Sequence, residues 1–336
     1  MYLTDRKVAV LGAAGAIGSN LVQTLLTSRT TNRVVMYDPF EKGLQGAAEE
    51  IYHCAFPEAE VTWTTDIAEA LSDASYLITS GGAPRKEGMT REDLTRDNAR
   101  IAQQLGMDIK AYCPGCQLAI VIFNPADITG LTTLVYSGLE AGRVTTLAAL
   151  DSTRLQTALG QHFKVRQDKV TGCRTYGGHG EQMAVFKGGI RIDGVPLTDV
   201  LTGTPANGIG LTEGQWQDIR QHVCGGGARI IQLRGRSSYQ SPSQQSVDML
   251  RGALGQPYEW PCGAYVNSGE YRQIMMAMPA KLSDTGVTWS APEGADEDLA
   301  ALKASYEHLV ALRDQTIADG ILPPLSDWEK HNPNLA

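Results

Sequence analysis

Four short segments of the chain hold residue types that reactions need, at spacings that reactions can use. Gly177-Gly178-His179-Gly180 sets one imidazole among glycines, where the backbone is free to expose a group that both gives and takes protons. Asp151-Ser152-Thr153-Arg154 puts a carboxylate and a guanidinium three residues apart, on one face of the helix they open. Gly81-Gly82-Ala83-Pro84-Arg85 runs on to Arg91, a glycine-rich loop with two arginines that leads into a helical pattern. Gly12-Ala13-Ala14-Gly15-Ala16-Ile17-Gly18 follows the apolar run at 8–11 and opens an apolar helix through Leu21, Val22, Leu25 and Leu26. Together these groups could move a proton, clamp a small anion and cradle phosphates.

The last of these segments is the most specific in its context. Glycines at 12, 15 and 18 permit a tight turn, close approach to a pyrophosphate and close helix–strand packing, with the helix N-terminus facing the phosphates. Asp38 closes the next strand pattern, twenty residues beyond Gly18. Its carboxylate can accept hydrogen bonds from ribose hydroxyls and would repel a 2′-phosphate, which points to NAD rather than NADP. Gly81 and Gly82 follow the fourth strand pattern and offer a second close approach of backbone to cofactor. Gly12, Gly15, Ala16, Ile17, Gly18, Asp38, Gly81 and Gly82 form the expected cofactor set.

The elements that must position these groups read as two halves. Strand patterns at 7–11, 33–37, 61–63, 76–79, 118–122 and 145–148 alternate with helical patterns near 16–27, 43–52, 66–71, 92–112 and 126–139. Such alternation implies an α/β doubly wound parallel sheet of the Rossmann type over residues 1–149. From 150 to 336 the rhythm becomes α+β, and this half is expected to hold the substrate and the catalytic groups. It shows a helix near 151–161, antiparallel-looking segments around 169–176, 184–193, 260–266 and 273–289, and helices at 211–232, 241–254 and 296–319. No Pro/Gly/Ser-rich linker marks the change, so the halves should pack tightly. The tail from Pro323 is polar and is expected to be loosely ordered.

Composition narrows the partners. The 336 residues carry 29 Lys and Arg against 37 Asp and Glu, a formal net charge of −8. Nucleic acid and anionic membrane both require a basic footprint that this balance lacks. The densest apolar run, 118–123, is too short to span a bilayer, and the glycines near the N-terminus disfavour a signal peptide. The 36 glycines exceed the roughly two dozen that average usage of about 7% would give. Of the six cysteines, only Cys113-Pro114-Gly115-Cys116 shows motif spacing. It lacks a second ligand pair for a metal; a dithiol redox switch is one reading, and a turn between helix and strand is the preferred one. A cytoplasmic protein with no metal is the expectation.

In this order and spacing the motifs identify a resemblance to the lactate/malate dehydrogenase family. It runs from about residue 7 to 320 through the glycine fingerprint, the arginine loop, Asn124-Pro125, Leu150-Asp151-Ser152-Thr153-Arg154 and Gly178-His179-Gly180. The resemblance implies that His179 is the acid–base group and that Asp151 orients its imidazole. It implies further that Arg154 clamps the substrate's C1 carboxylate, that Arg91 closes over the substrate and polarises its carbonyl, that Asn124 bonds the substrate oxygen beside the nicotinamide, and that Asn98 and Asn124 join the cofactor set. Gly178 stands where many relatives carry a glutamate.

Arg85, six residues before Arg91, would face the distal end of the substrate. A guanidinium there pairs with a second carboxylate, so the resemblance implies (S)-malate and oxaloacetate as the small dicarboxylate substrates. A substrate without that group would leave a buried cation unpaired, at a cost of about 3–5 kcal/mol. Ser237 could line the same pocket. A homodimer or homotetramer is the family's usual assembly. The alternatives are a dehydrogenase for lactate or another 2-hydroxy acid, a metal-requiring NAD-dependent glycosidase, and a non-enzymatic NAD-binding protein.

Overall fold

A computed structural model describes residues 1–83, 91–180 and 182–335. The first half builds β1 (Val8–Leu11), α1 (Ala16–Thr27), β2 (Arg33–Tyr37), α2 (Glu41–His53), β3 (Glu60–Thr64), α3 (Ile67–Leu71), β4 (Tyr76–Thr79), α4 (Arg91–Tyr112), β5 (Leu118–Val121), α5 (Ala126–Ser137) and β6 (Val144–Leu147). The strands lie parallel in the order β3-β2-β1-β4-β5-β6, the doubly wound order expected from the alternating pattern. Every residue of β1, β4, β5 and β6 is buried, because helices cover both faces of the sheet. β1 and β5 accordingly read as continuous apolar runs, while β4 and β6 bury threonines at 79, 145 and 146. On α1, the buried face is Gly18, Leu21, Val22, Leu25 and Leu26, the helical spacing that lays one stripe on the sheet.

α5 differs from the other crossover helices in being buried nearly all round. Its threonines turn their hydroxyls back onto main-chain carbonyls, as Thr132 Oγ1 does to Ile128 O at 2.8 Å, which satisfies them without water. A buried acid, Asp127, sits in its first turn.

The second half comprises α6 (Ala149–Phe163), β7 (Val170–Thr171), β8 (Arg174–Gly177), β9 (Met183–Phe186), β10 (Arg191–Ile192), β11 (Val195–Pro196), α7 (Leu197–Leu201), α8 (Glu213–Cys224), α9 (Gly226–Arg234), α10 (Gln240–Ala253), β12 (Cys262–Ser268), β13 (Tyr271–Met278), β14 (Ala280–Ser283), β15 (Gly286–Trp289), α11 (Asp296–Ala318) and α12 (Trp328–His331). β12 pairs antiparallel with β6, and β13, β8 and β9 follow, so the main sheet reaches ten strands and runs uninterrupted past residue 150. A second apolar cluster gathers around Phe163, Val185, Ile192 and Trp216.

Two expectations are corrected. The helical stretch 211–232 is two helices broken at Gly225, which ends α8 and precedes α9. The C-terminal tail is packed rather than loose. Trp328 is 1% exposed and its indole N–H donates to Pro323 O at 2.9 Å. Asn332 is fully buried and its amide donates to the Leu134 and Leu139 carbonyls at 2.8 Å each. The Leu134 carbonyl belongs to the last turn of α5, where a helix has no partners of its own to offer. Cys113 and Cys116 flank the expected turn, with Cys116 N donating to Cys113 O at 3.0 Å, and both are free thiols. No helix of the described residues is long and apolar enough to cross a membrane.

Candidate active site

The turn between β1 and α1 is shaped by contacts that only glycine allows. Gly12 has φ +80°, and a Cβ there would lie 2.7 Å from Gly81 Cα, in the loop after β4. A Cβ on Gly18 would collide with the Gly12 carbonyl oxygen. Gly15 occupies the N-cap of α1, no side chain caps that end, and no acid lies in its first turn, which contains Ala16 and Ile17. The positive end of the helix dipole is therefore left open to an anion. Asp38, just past β2, accepts from Ala14 N at 3.2 Å through Oδ2 and from Phe40 N at 2.9 Å through Oδ1, which fixes its carboxylate beside this turn. These features fit a dinucleotide whose pyrophosphate meets α1 and whose ribose meets Asp38.

The loops after β4 and β5 form the facing wall. A Cβ on Gly82 would sit 2.8 Å from Phe123, so the two loops touch. Asn98, buried on α4, spans them: its Oδ1 accepts from Ala83 N and its Nδ2 donates to Asn124 O, each at 2.7 Å. Asn124 precedes a cis peptide bond to Pro125 and leaves its own side chain exposed.

His179 and Asp151 meet because α6 and β8 are locked in register. Ser152 Oγ accepts from Thr175 N at 3.0 Å and lies 3.0 Å from Thr175 Oγ1. One residue earlier on α6, Asp151 Oδ2 lies 2.8 Å from His179 Nδ1 and accepts from Gly180 N at 3.2 Å. Asp151 Oδ1 accepts from Arg154 Nη1 at 2.9 Å. An ionised carboxylate can only accept, so Nδ1 carries the proton and Nε2 remains for chemistry. Burial alone would push the Asp151 carboxyl up, but His179, Arg154 and the Gly180 N–H together hold it below its ordinary range. The Asp151 charge in turn raises the His179 imidazole above its ordinary value, against the opposing effects of burial and Arg154.

The His179 loop is clamped from two further sides. At the end of β8, Gly177 has φ +82°, and a Cβ there would collide with Ser305 of α11. Gly178 N donates to Ser305 Oγ at 2.8 Å, and a Cβ on Gly178 would approach Leu309 to 3.2 Å. A side chain at 178 would need Leu309 of α11 to yield by a few tenths of an ångström. From α5, Asp127 Oδ2 accepts from His179 N at 2.9 Å.

Arg154 packs under the first turn of α9, where a Cβ on Gly226 would come 2.9 Å from its Cδ. Ser237 lies exposed in the connection from α9 to α10 and makes no hydrogen bond to His179, Asp151 or Arg154. Arg91 opens α4, but its side chain, like the whole of Arg85, lies outside the described residues. Among the described residues, no group of three or more His, Cys, Asp or Glu side chains could hold a metal ion. Sequence reasoning missed Asp127 and Ser305. The only local signal for Asp127 was an acid three residues past Asn124 in an otherwise apolar helix start.

Comparison with known proteins gives a consistent family. Residues 6–146 match the lactate/malate dehydrogenase NAD binding domain, and residues 148–315 match the lactate/malate dehydrogenase alpha/beta C-terminal domain. A malate dehydrogenase of Methylobacterium radiotolerans is 31% identical over 294 residues, covering 85% of this chain and 88% of the relative. The crystal structure of malate dehydrogenase from Plasmodium falciparum superposes with a TM-score of 0.85 at 25% identity, covering 93% of this chain and 99% of that one. A lactate dehydrogenase from Cryptosporidium parvum, complexed with lactic acid and nicotinamide adenine dinucleotide, superposes at 0.84 and 26% identity, covering 93% and 98%.

Proposed function

The chain belongs to the lactate/malate dehydrogenase family of NAD-dependent oxidoreductases, and on that premise we propose that it interconverts (S)-malate and oxaloacetate. The observation that carries this reading is the His179–Asp151 pair, 2.8 Å apart, with Arg154 on the other carboxylate oxygen. NAD, when bound, supplies and accepts the hydride. Residues 1–149 form the cofactor domain in this reading, and residues 150–336 the substrate and acid–base domain. Gly12, Gly15, Ala16, Ile17 and Gly18 receive the pyrophosphate and Asp38 the ribose, while Gly81 and Gly82 line the loop beside them. Asn98 acts by tying that loop to Asn124.

In reduction, the Nε2–H bond of His179 breaks as an O–H bond forms on the substrate's carbonyl oxygen; in oxidation Nε2 takes that proton back. Asp151 fixes the ring and stabilises its charged form. Arg154 clamps the C1 carboxylate, which holds the carbonyl at one distance and angle. Arg91 polarises the carbonyl and Asn124 bonds the same end of the substrate. Arg85 pairs with the distal carboxylate and selects the dicarboxylate over pyruvate, with Ser237 at the edge of the pocket. The M. radiotolerans and P. falciparum relatives, both malate dehydrogenases, support this choice. Lactate dehydrogenase relatives of similar fold keep the lactate reading as the second.

The test is a panel of 2-keto acids assayed with NADH and NADPH. Oxaloacetate with NADH should far exceed pyruvate; equal or faster turnover of pyruvate overturns the malate assignment.

A further inference from the structure

We propose that Asp127 is a positioning residue for proton transfer: its carboxylate holds His179 by the main chain and places a second negative charge behind the imidazole. The inference rests on the reading of His179 as the acid–base group. Asp127 is 6% exposed in the first turn of α5, and its Oδ2 accepts from His179 N at 2.9 Å. Holding one main-chain N–H does not require a charge. An asparagine would accept the same hydrogen bond without taking an ionised group out of water, which costs several kcal/mol. What the carboxylate adds is its charge, and the imidazole is the group of opposite charge that acts on it among the described residues.

Among the described residues, the charged groups that act on the imidazole come from two helices. Asp151 and Arg154 of α6 and Asp127 of α5 act on His179. α11 brings Ser305, Leu302 and Leu309 to the same loop, none of them ionisable. Asp151 and Asp127 repel each other while the imidazole is neutral, and a proton on the ring relieves that repulsion. Two carboxylates from two helices therefore both favour the form that donates a proton to a keto acid. Asp127 also follows Asn124 by three residues. One short segment thus carries the side chain read as facing the substrate and the acid that holds the proton donor.

Burial, opposed by the His179 N–H and the imidazole charge, lifts the Asp127 carboxyl to about 6. Its negative charge is then present above about pH 6 and gone below it.

The experiment compares the full-length wild type with Asp127→Asn, measuring oxaloacetate reduction by NADH as a function of pH and titrating the His179 imidazole by NMR. Loss of the charge should lower the imidazole's proton affinity. Reduction in Asp127→Asn should then fall away at lower pH than in wild type, with a deficit of about three- to tenfold on the alkaline side. The two profiles should converge below about pH 6, where wild-type Asp127 is itself protonated. A merely structural contact would scale the whole profile without moving its limb. Profiles of one shape, with imidazoles that titrate alike, overturn the proposal. If Asp127→Asn does not fold, Asp127→Ser is read instead: an alkaline limb and an imidazole titration both moved to lower pH support the proposal, and an unmoved limb overturns it. His179→Asn is the control: if it still turns over at the wild-type rate, the reading of His179 fails, whatever Asp127 does.

Discussion

One carboxylate holds both His179 and Arg154: Asp151 Oδ2 lies 2.8 Å from His179 Nδ1, and Asp151 Oδ1 accepts from Arg154 Nη1 at 2.9 Å. An imidazole and a guanidinium are thereby fixed relative to each other by a single buried side chain. In the proposed reading these two groups meet the carbonyl oxygen and the C1 carboxylate of one substrate, a spacing that suits 2-keto acids as a class. Disturbing Asp151 should affect proton transfer and substrate orientation together.

Replacing Asp151 with Asn should lower kcat for oxaloacetate reduction by about a hundredfold or more. Asp151 is the main cause of the raised His179 affinity for protons, so its loss moves that affinity down. Reduction needs the protonated ring, and its alkaline limb should shift to lower pH. Malate oxidation needs the neutral ring, and its acid limb should shift to lower pH as well. Steady-state pH profiles in both directions check the sign.

Arg85→Gln tests substrate choice. Removing the cation that would face the distal carboxylate should reduce the preference for oxaloacetate over pyruvate by roughly two to three decades, from a penalty of about 3–5 kcal/mol. The ratio of kcat/KM for the two keto acids is the measurement. An unchanged ratio would show that Arg85 does not read the distal group.

Asp38 should decide between the two nicotinamide cofactors. Asp38→Ser removes the charge that repels a 2′-phosphate and the acceptor for the ribose, so NADH binding should weaken by about ten- to a hundredfold. NADPH turnover should rise. Fluorescence titrations with both reduced cofactors follow the change. Ala14 N and Phe40 N lose their acceptor in the same variant, so thermal melting should accompany the titration.

The C-terminal tail should contribute to stability although it carries no site residue. Trp328→Ala vacates a fully enclosed site and should cost about 3–5 kcal/mol, read as a lower midpoint in urea. A tail that merely lay on the surface would give no change.

Much of the first half was legible because its determinants are local. Strands at 33–37 and 76–79 coincide with β2 and β4, since strands covered on both faces need apolar interiors such as Val34-Val35-Met36 and Leu77-Ile78. The Gly12–Gly18 turn was legible for a different reason: glycine where the chain must bend sharply leaves its mark in the sequence. The helix at 211–232 was read as one because both parts share a helical rhythm, and Gly225 alone does not say whether a helix bends or ends there. The tail misled because its polarity is real, yet Asn332 is buried by meeting carbonyls of α5, 198 residues away at Leu134.

By itself, the sequence determined the doubly wound half, the glycine turn with Asp38, and the kinds of side-chain chemistry available. These follow from periodicity, from glycine's conformational range and from side-chain chemistry, all of which act over a few residues. Only the tertiary structure decided which of those groups meet. It brought Asp151 to His179 across 28 residues through the Ser152–Thr175 lock, and placed Asp127 behind His179 across 52. It also extended the sheet from β6 to β12. Such contacts depend on the path of the whole chain, and no local pattern encodes which distant surface will face a given side chain.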